Sequence, residues 1–296
     1  MKQHKSTLSH AIDWSAAPAD IVATFDKASH RMETPCGAGK MLWRRWGARQ
    51  EGRLPLVLMH GGSGAWTHWI KVIPLLAEVT EVWAPDLPGL GDSAMPNVPH
   101  TPSSAGQVVA DGMRKVFADG KTIHLVAFSF GAHVGTFAAA YLGHRLATFT
   151  ICGSAALGIP HNRLEFERER STMSANESDI VHRTNLARLM FLDPSRIDDL
   201  AIYIQSENIR RARFKSRAFA GTNDIPQTLP HVTGQLRAIW GAGDVLATPS
   251  VEARYAILRE HHAELQTRTI ADAGHWAAYE QPAAFAQAVL ELTGIL

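Results

Sequence analysis

The chain has 296 residues, 46% of them hydrophobic and 19% charged, and 29 Lys+Arg against 28 Asp+Glu leave a formal net charge of +1. That is enough chain for a sizeable core, in one large domain or two smaller ones, and the balanced charge disfavours nucleic acid or an anionic membrane as a partner. The 15 histidines are scattered without H-x-x-x-H or Cys/His ligand spacing, which argues against a bound metal.

In chain order, "MKQHKSTLSHAIDWSAAPAD" holds no apolar run long enough for a signal peptide, and no later stretch approaches the ~20 apolar residues of a membrane span. A cytoplasmic protein without membrane attachment is the expectation. "HRMETPC" and "KMLWRRWGA" read as an opening antiparallel pair around Gly37 and Gly39. "LPLVLMH" is a continuous apolar run that ends in the turn "HGGSG", as a buried parallel strand should. "WTHWIKVIPLLAEV" has helical spacing, "EVWAPDL" is the next strand, and the Gly/Pro/Ser-rich "PGLGDSAMPNVPHTPSS" is a loop.

"AGQVVADGMRKVFADG" predicts a helix stopped by Gly120, "TIHLVAF" a strand, "SFGAHVGTFAAAYLGH" a helix rich in small residues, and "LATFTICGSA" another strand. Residues 158–232 differ: they are charged, Arg-rich and mostly helical in period, with no convincing strand. "GQLRAIWGAGD" and "AELQTRTIADAGH" then restore the strand pattern, and "PAAFAQAVLELTGIL" closes with a helix. Repeated strand–helix alternation implies a mostly parallel sheet with helices on both faces. Residues 1–157 and 233–296 would form this α/β core, interrupted by the helical insertion 158–232. Cys36 and Cys152, far apart in apolar stretches, read as reduced buried thiols.

Ligand and catalytic groups of such a sheet gather at the C-terminal ends of its strands. Three turns there carry the parts of serine chemistry, which needs a nucleophile, a base, an acid to orient the base, and donors for an oxyanion. Ser129 follows "TIHLVAF" and precedes a helix, with the small residues Ala127 and Gly131 on either side. Ala127 departs by one methyl from the glycine of G-x-S-x-G. A serine at a helix start is as readily an N-cap, so the later turns decide. Asp244 follows the next-to-last strand in "WGAGDVLATP", and His275 follows the last in "DAGHWAAYEQP". The order Ser, Asp, His at successive strand ends is that of a hydrolase triad. In "MHGGSGAW" the glycines turn backbone N–H groups inward, so the Gly62 and Phe130 amides are expected to form the oxyanion hole, with Ser63 lining it. His60 is expected to support that turn, and Trp66 and Trp69 to pack in the core or, failing that, to line the pocket.

With these residues in hand, the chain resembles the α/β-hydrolase-fold superfamily across nearly its whole length. "HGGSG", "PDLPGLGDS", "AFSFGAHVG", "WGAGD" and "AGHWAAYEQP" fall in that family's order and spacing. The resemblance implies an eight-stranded, mostly parallel sheet with a helical lid between strands 6 and 7, a structural Asp86, and no metal or organic cofactor. A serine nucleophile separates the chain from the dehalogenases and epoxide hydrolases of the fold, which use aspartate. "GHWAAYEQP" is similar to the meta-cleavage-product hydrolases, which cut carbon–carbon bonds in vinylogous 1,5-diketones. Those enzymes keep a tryptophan after the histidine, matched by Trp276, and an arginine from the lid. In "ENIRRARFKSR" the candidates for that arginine are Arg210, Arg211 and Arg213, against the plainer alternative of a solvated helix face. "HGGSGAW" lacks the proline of their H-G-x-G-P-G turn, so hydrolysis of a small carboxylic ester stays equally open. The competing readings are a non-catalytic small-molecule-binding protein of the same fold and a cofactor-free perhydrolase or haloperoxidase-like enzyme. The partner is a small molecule, and a homodimer is compatible with the sequence.

Overall fold

The computed structural model describes Leu8 and residues 12–160 and 164–295; the remaining N-terminal residues, 161–163 within the insertion and 296 lie outside the described residues. Eight strands form a single sheet in the order β1-β2-β4-β3-β5-β6-β7-β8. They are β1 (His30–Cys36), β2 (Gly39–Trp46), β3 (Leu56–Met59), β4 (Val82–Pro85), β5 (Ile123–Phe128), β6 (Leu146–Cys152), β7 (Gln235–Gly241) and β8 (Gln266–Ile270). β1 and β2 form an antiparallel hairpin, β2 runs antiparallel to β4, and β4, β3, β5, β6, β7 and β8 are all parallel. Every residue of β3, β4 and β5 is buried, which is why these strands read as unbroken apolar runs rather than as alternating ones.

Successive side chains of a strand point to opposite faces, and the sheet divides its core accordingly. Leu56, Leu58, Val126 and Phe128 join one apolar layer with helices α1 (Pro18–Lys27), α2 (Ile73–Ala77) and, near the C-terminus, α10 (Pro282–Thr293). Val57, Met59, Leu125 and Ala127 join the other, with α3 (Pro102–Val116), α4 (Phe130–Leu142) and α8 (Val251–His261). Trp66 and Trp69 are buried in the first layer. Cys36 and Cys152 are free and buried, on β1 and β6.

Two local expectations change. The helical pattern of "WTHWIKVIPLLAEV" is split into a 3-10 turn at Trp66–Trp69 and the short α2, because Pro74 has no N–H to continue a helix and fits only near a helix start. Conversely, "TPSS" is not loop. Thr101 accepts from the Ser104 N–H and Ser104 bonds back to the Thr101 N–H, so this capping box with Pro102 starts α3 three residues early. Between β6 and β7 the described residues form α5 (Ala175–Leu189), α6 (Asp199–Arg211), α7 (Asp224–Thr228) and 3-10 turns, with no strand. The remaining short helix, α9 (Ala277–Glu280), follows β8.

Candidate active site

β5 delivers Ser129 to a turn with φ 54° and ψ −118°, a conformation costly for a residue with a Cβ. The turn is held by the Ser129 N–H, which donates to Cys152 O at 2.7 Å. Although Ser129 stands at the N-cap of α4, its side chain makes no capping bond, so the plain cap reading of this serine fails. Its Oγ lies 3.0 Å from His275 Nε2 instead. His275 Nδ1 is 2.9 Å from Asp244 Oδ2, and Asp244 Oδ1 accepts the Leu246 N–H at 2.9 Å. A carboxylate can only accept, so Nδ1 carries the imidazole proton and Nε2 presents its lone pair to the Ser129 hydroxyl. Asp244 and His275 are both buried. Gly153, at the end of β6, makes room for them: a Cβ there would stand 3.2 Å from His275 Nδ1 and 3.3 Å from Asp244 Oδ2.

Three strand ends therefore bring Ser129, His275 and Asp244 into one hydrogen-bonded chain. It opens into a cavity of about 410 Å³ also lined by Gly62, Ser63 and Phe130. Among the described residues the Gly62 and Phe130 N–H groups have no protein acceptor, and Phe130 begins α4, where the helix dipole is positive. Ser63 is itself left-handed at φ 46°. Two buried imidazoles brace the turn. His60 Nε2 accepts the Leu87 N–H at 2.9 Å while Nδ1 donates to Gly61 O at 2.8 Å. His68 Nδ1 accepts the Gly61 N–H at 3.2 Å. Burial lowers the pKa of both rings, and the neighbouring His60 and His275 push His68 further down. Asp86 is structural: it takes the Arg44 guanidinium at 2.9 Å and the Trp66 N–H at 2.9 Å.

Four candidate substrate contacts lie off the cavity wall, as the plainer alternatives of a solvated helix face and of packing allow. Trp276 is 1% exposed and off the cavity wall. Its indole donates to His68 O at 2.8 Å and its ring packs on Tyr279, since consecutive residues point apart and His275 takes the site-facing position. Arg210 has its side chain 65% exposed and pairs with Glu207. Arg211 bridges Glu207 and Asp92, and Arg213 donates to the Gly91 and Ser93 carbonyls. All three are engaged by partners that do not line the cavity. The arginine that does line the cavity is Arg217, the last residue of the same segment. It lies over the Phe166 ring at 4.2 Å and has no carboxylate partner among the described residues.

Two further residues carry no motif. His133 lines the cavity one helical turn beyond Ser129, and its Nε2 lies 2.6 Å from Asp224 Oδ2 on α7; the i, i+4 spacing from Ser129 was the available signal. Glu280 accepts the N–H groups of Gly274 at 2.6 Å, Leu192 at 3.0 Å and Asp193 at 3.1 Å, tying the His275 turn to the insertion. The insertion adds the apolar Leu164, Phe166, Leu189, Met190 and Ile209 to the wall, together with the polar Gln205 and Ser216, and Ser154 lines it from the end of β6. Among the described residues no group of three His, Cys, Asp or Glu side chains converges as metal ligands, and no helix is long and apolar enough to cross a membrane.

Comparison with known proteins gives the same frame. The sequence pattern of the alpha/beta hydrolase family matches residues 56–288. The 2-hydroxy-6-oxo-6-(2'-aminophenyl)hexa-2,4-dienoic acid hydrolase of Metapseudomonas resinovorans is 28% identical over 255 residues, covering 80% of this chain and 82% of that one. Among solved structures, a serine hydrolase of carbazole degradation (the CarC enzyme) superposes with a TM-score of 0.68 at 22% identity, covering 91% of this chain and 100% of that one. A bromoperoxidase from Bacillus anthracis gives 0.70 at 15% identity, covering 90% and 99%. At such identities the structural likeness speaks for the fold alone. The family pattern spans β3 through most of α10, so this chain belongs to the alpha/beta hydrolase family.

Proposed function

We propose that this hydrolase works through a Ser129–His275–Asp244 triad on a small carboxylic ester or on the C–C bond of a vinylogous diketone. The observation that carries the reading is the buried hydrogen-bonded chain from Asp244 Oδ2 through His275 to Ser129 Oγ at a mainly apolar cavity. Ser129 Oγ attacks the carbonyl carbon as its proton passes to His275 Nε2, and Asp244 holds the imidazole in the accepting tautomer. The Gly62 and Phe130 N–H groups take the charge that develops on the carbonyl oxygen, each contributing about 3 kcal/mol to the transition state. His275 then gives its proton to the leaving group, and water releases the acid by the same steps. Residues 158–232 act as a cap that supplies the apolar wall and excludes water.

Arg217 favours the diketone branch. An unpaired guanidinium on the cavity wall suits a substrate that bears a carboxylate, as the dienoic acid named for the Metapseudomonas resinovorans relative does.

The test is reaction with a fluorophosphonate probe read by intact mass. A single adduct that disappears in Ser129→Ala is expected, and a panel of esters and dienol diketones then separates the two substrate types. Absence of an adduct on folded protein would give way to the binding-protein reading.

A further inference from the structure

A short segment of the insertion is anchored on the loop after β4 and reaches from there to the turn after β3. The Arg213 and Phe214 N–H groups both donate to Gly89 O, at 2.9 and 3.0 Å, and the Arg213 guanidinium donates to the Gly91 and Ser93 carbonyls. Phe214 packs on Phe130 with ring centres 5.4 Å apart. The Ser216 N–H closes a tight turn onto Phe214 O at 2.9 Å, which brings the Ser216 side chain down onto Gly62. A Cβ built on Gly62 would lie 2.5 Å from Ser216 Oγ, 3.1 Å from Ser216 Cβ and 3.4 Å from Phe130 Cβ. Ser216 Oγ is thus packed against the Gly62 backbone, beside Phe130, and Ser216 lines the same cavity as Ser129 and His275. Gly62 lacks a side chain because this hydroxyl occupies its place.

Ser216 is buried as a residue, 6% exposed, and its Oγ has no hydrogen-bond partner among the described residues while keeping some accessible surface at the cavity wall. Buried hydroxyls are normally bonded. One left free at a cavity wall, against the backbone of Gly62 whose amide also lacks an acceptor, matches a site whose acceptor arrives with the substrate. We propose that Ser216 is a catalytic residue whose Oγ–H donates a third hydrogen bond to the oxyanion beside the Gly62 and Phe130 amides. The cap then does more than enclose the substrate: it completes the electrostatic site, and an acyl group is turned over efficiently only with the segment 213–216 seated on Gly89. This proposal rests on Ser129 being the nucleophile.

The experiment is the second-order rate of Ser129 phosphonylation by a fluorophosphonate probe in the parent, Ser216→Ala and Ser216→Cys, with thermal unfolding recorded for each. Phosphonylation passes through an oxyanion-like state and needs no knowledge of the natural substrate. Two backbone donors remain in both variants, so each is expected to react about 10- to 100-fold more slowly. Cysteine keeps the volume of serine but is a weak donor, so it retains the packing and loses the hydrogen bond, and it serves equally where alanine fails to fold. An unchanged rate in Ser216→Ala, or the parent rate in Ser216→Cys, overturns the role of Ser216 and leaves the serine hydrolase standing. No reaction of the folded parent overturns the nucleophile, and the role of Ser216 with it.

Discussion

The methyl of Ala127, the one departure from G-x-S-x-G, has a structural counterpart eight residues later. A Cβ added to Gly135 on α4 would meet Ala127 Cβ at 3.1 Å and the Phe149 ring at 3.3 Å. Ala127 cannot retreat, because it is fully buried on β5 and held between Met59 on β3 and Ile151 on β6. The strand carries the methyl and the helix gives it up, so the two positions should be coupled. Gly135→Ala alone gains about 1 kcal/mol of helix propensity but overpacks a rigid contact at a cost of about 1–3 kcal/mol, for a net loss of up to about 2 kcal/mol. Ala127→Gly alone loses about 0.8 kcal/mol of burial and a further 0.5–1 kcal/mol, roughly, in backbone entropy. In the double variant the methyl passes from strand to helix, the tightest contact disappears and the propensity gain survives. The double variant should therefore be more stable than the sum of the singles by about 1–2 kcal/mol. Urea unfolding of the four proteins measures this, and fluorophosphonate labelling checks that the turn stays assembled. Additivity within about 0.5 kcal/mol would refute the idea that Gly135 compensates Ala127.

Asp244→Asn keeps the hydrogen bond to His275 but favours the wrong tautomer, and kcat should fall by about 10⁴ with the unfolding midpoint nearly unchanged. Arg217→Met keeps the length and the contact with Phe166 while removing the charge. KM for carboxylate-bearing substrates should rise by about 10- to 100-fold and that for neutral esters should not, whereas equal effects on both would remove the anion-binding role. Acid should destabilise the fold through its buried imidazoles. His124 is lowered from 6.5 to about 4 by burial and by Arg237, so it takes up a proton below pH 6.5 only in the unfolded chain. Its contribution is complete above pH 6.5 and is lost as pH falls from there toward 4, about 3 kcal/mol over the interval. Urea unfolding at pH 7 and pH 4.5 should show a smaller loss in His124→Asn than in the parent, and identical slopes would contradict the neutral buried ring.

The candidate active site was legible because its parts are tied to the sheet. Ser129, Asp244 and His275 each follow a strand whose apolar run is unmistakable, and parallel strands put those ends on one edge whatever the connecting segments do. Side-chain direction is a different matter. Trp276 adjoins His275 yet turns into the core against His68 and Tyr279. Among the clustered arginines of "ENIRRARFKSR", the one at the cavity is decided by partners distant in sequence. Arg211 reaches Asp92, and Arg213 the carbonyls of Gly91 and Ser93, which leaves Arg217 unclaimed. The same holds for Glu280 and His133, whose partners Leu192, Asp193 and Asp224 lie on the insertion. Local pattern thus locates the residues on strand ends, while residues on the insertion acquire their position from tertiary contacts. Substrate preference would accordingly change more readily by substitution in 164–220 than at the strand ends, where each side chain is fixed by the sheet itself.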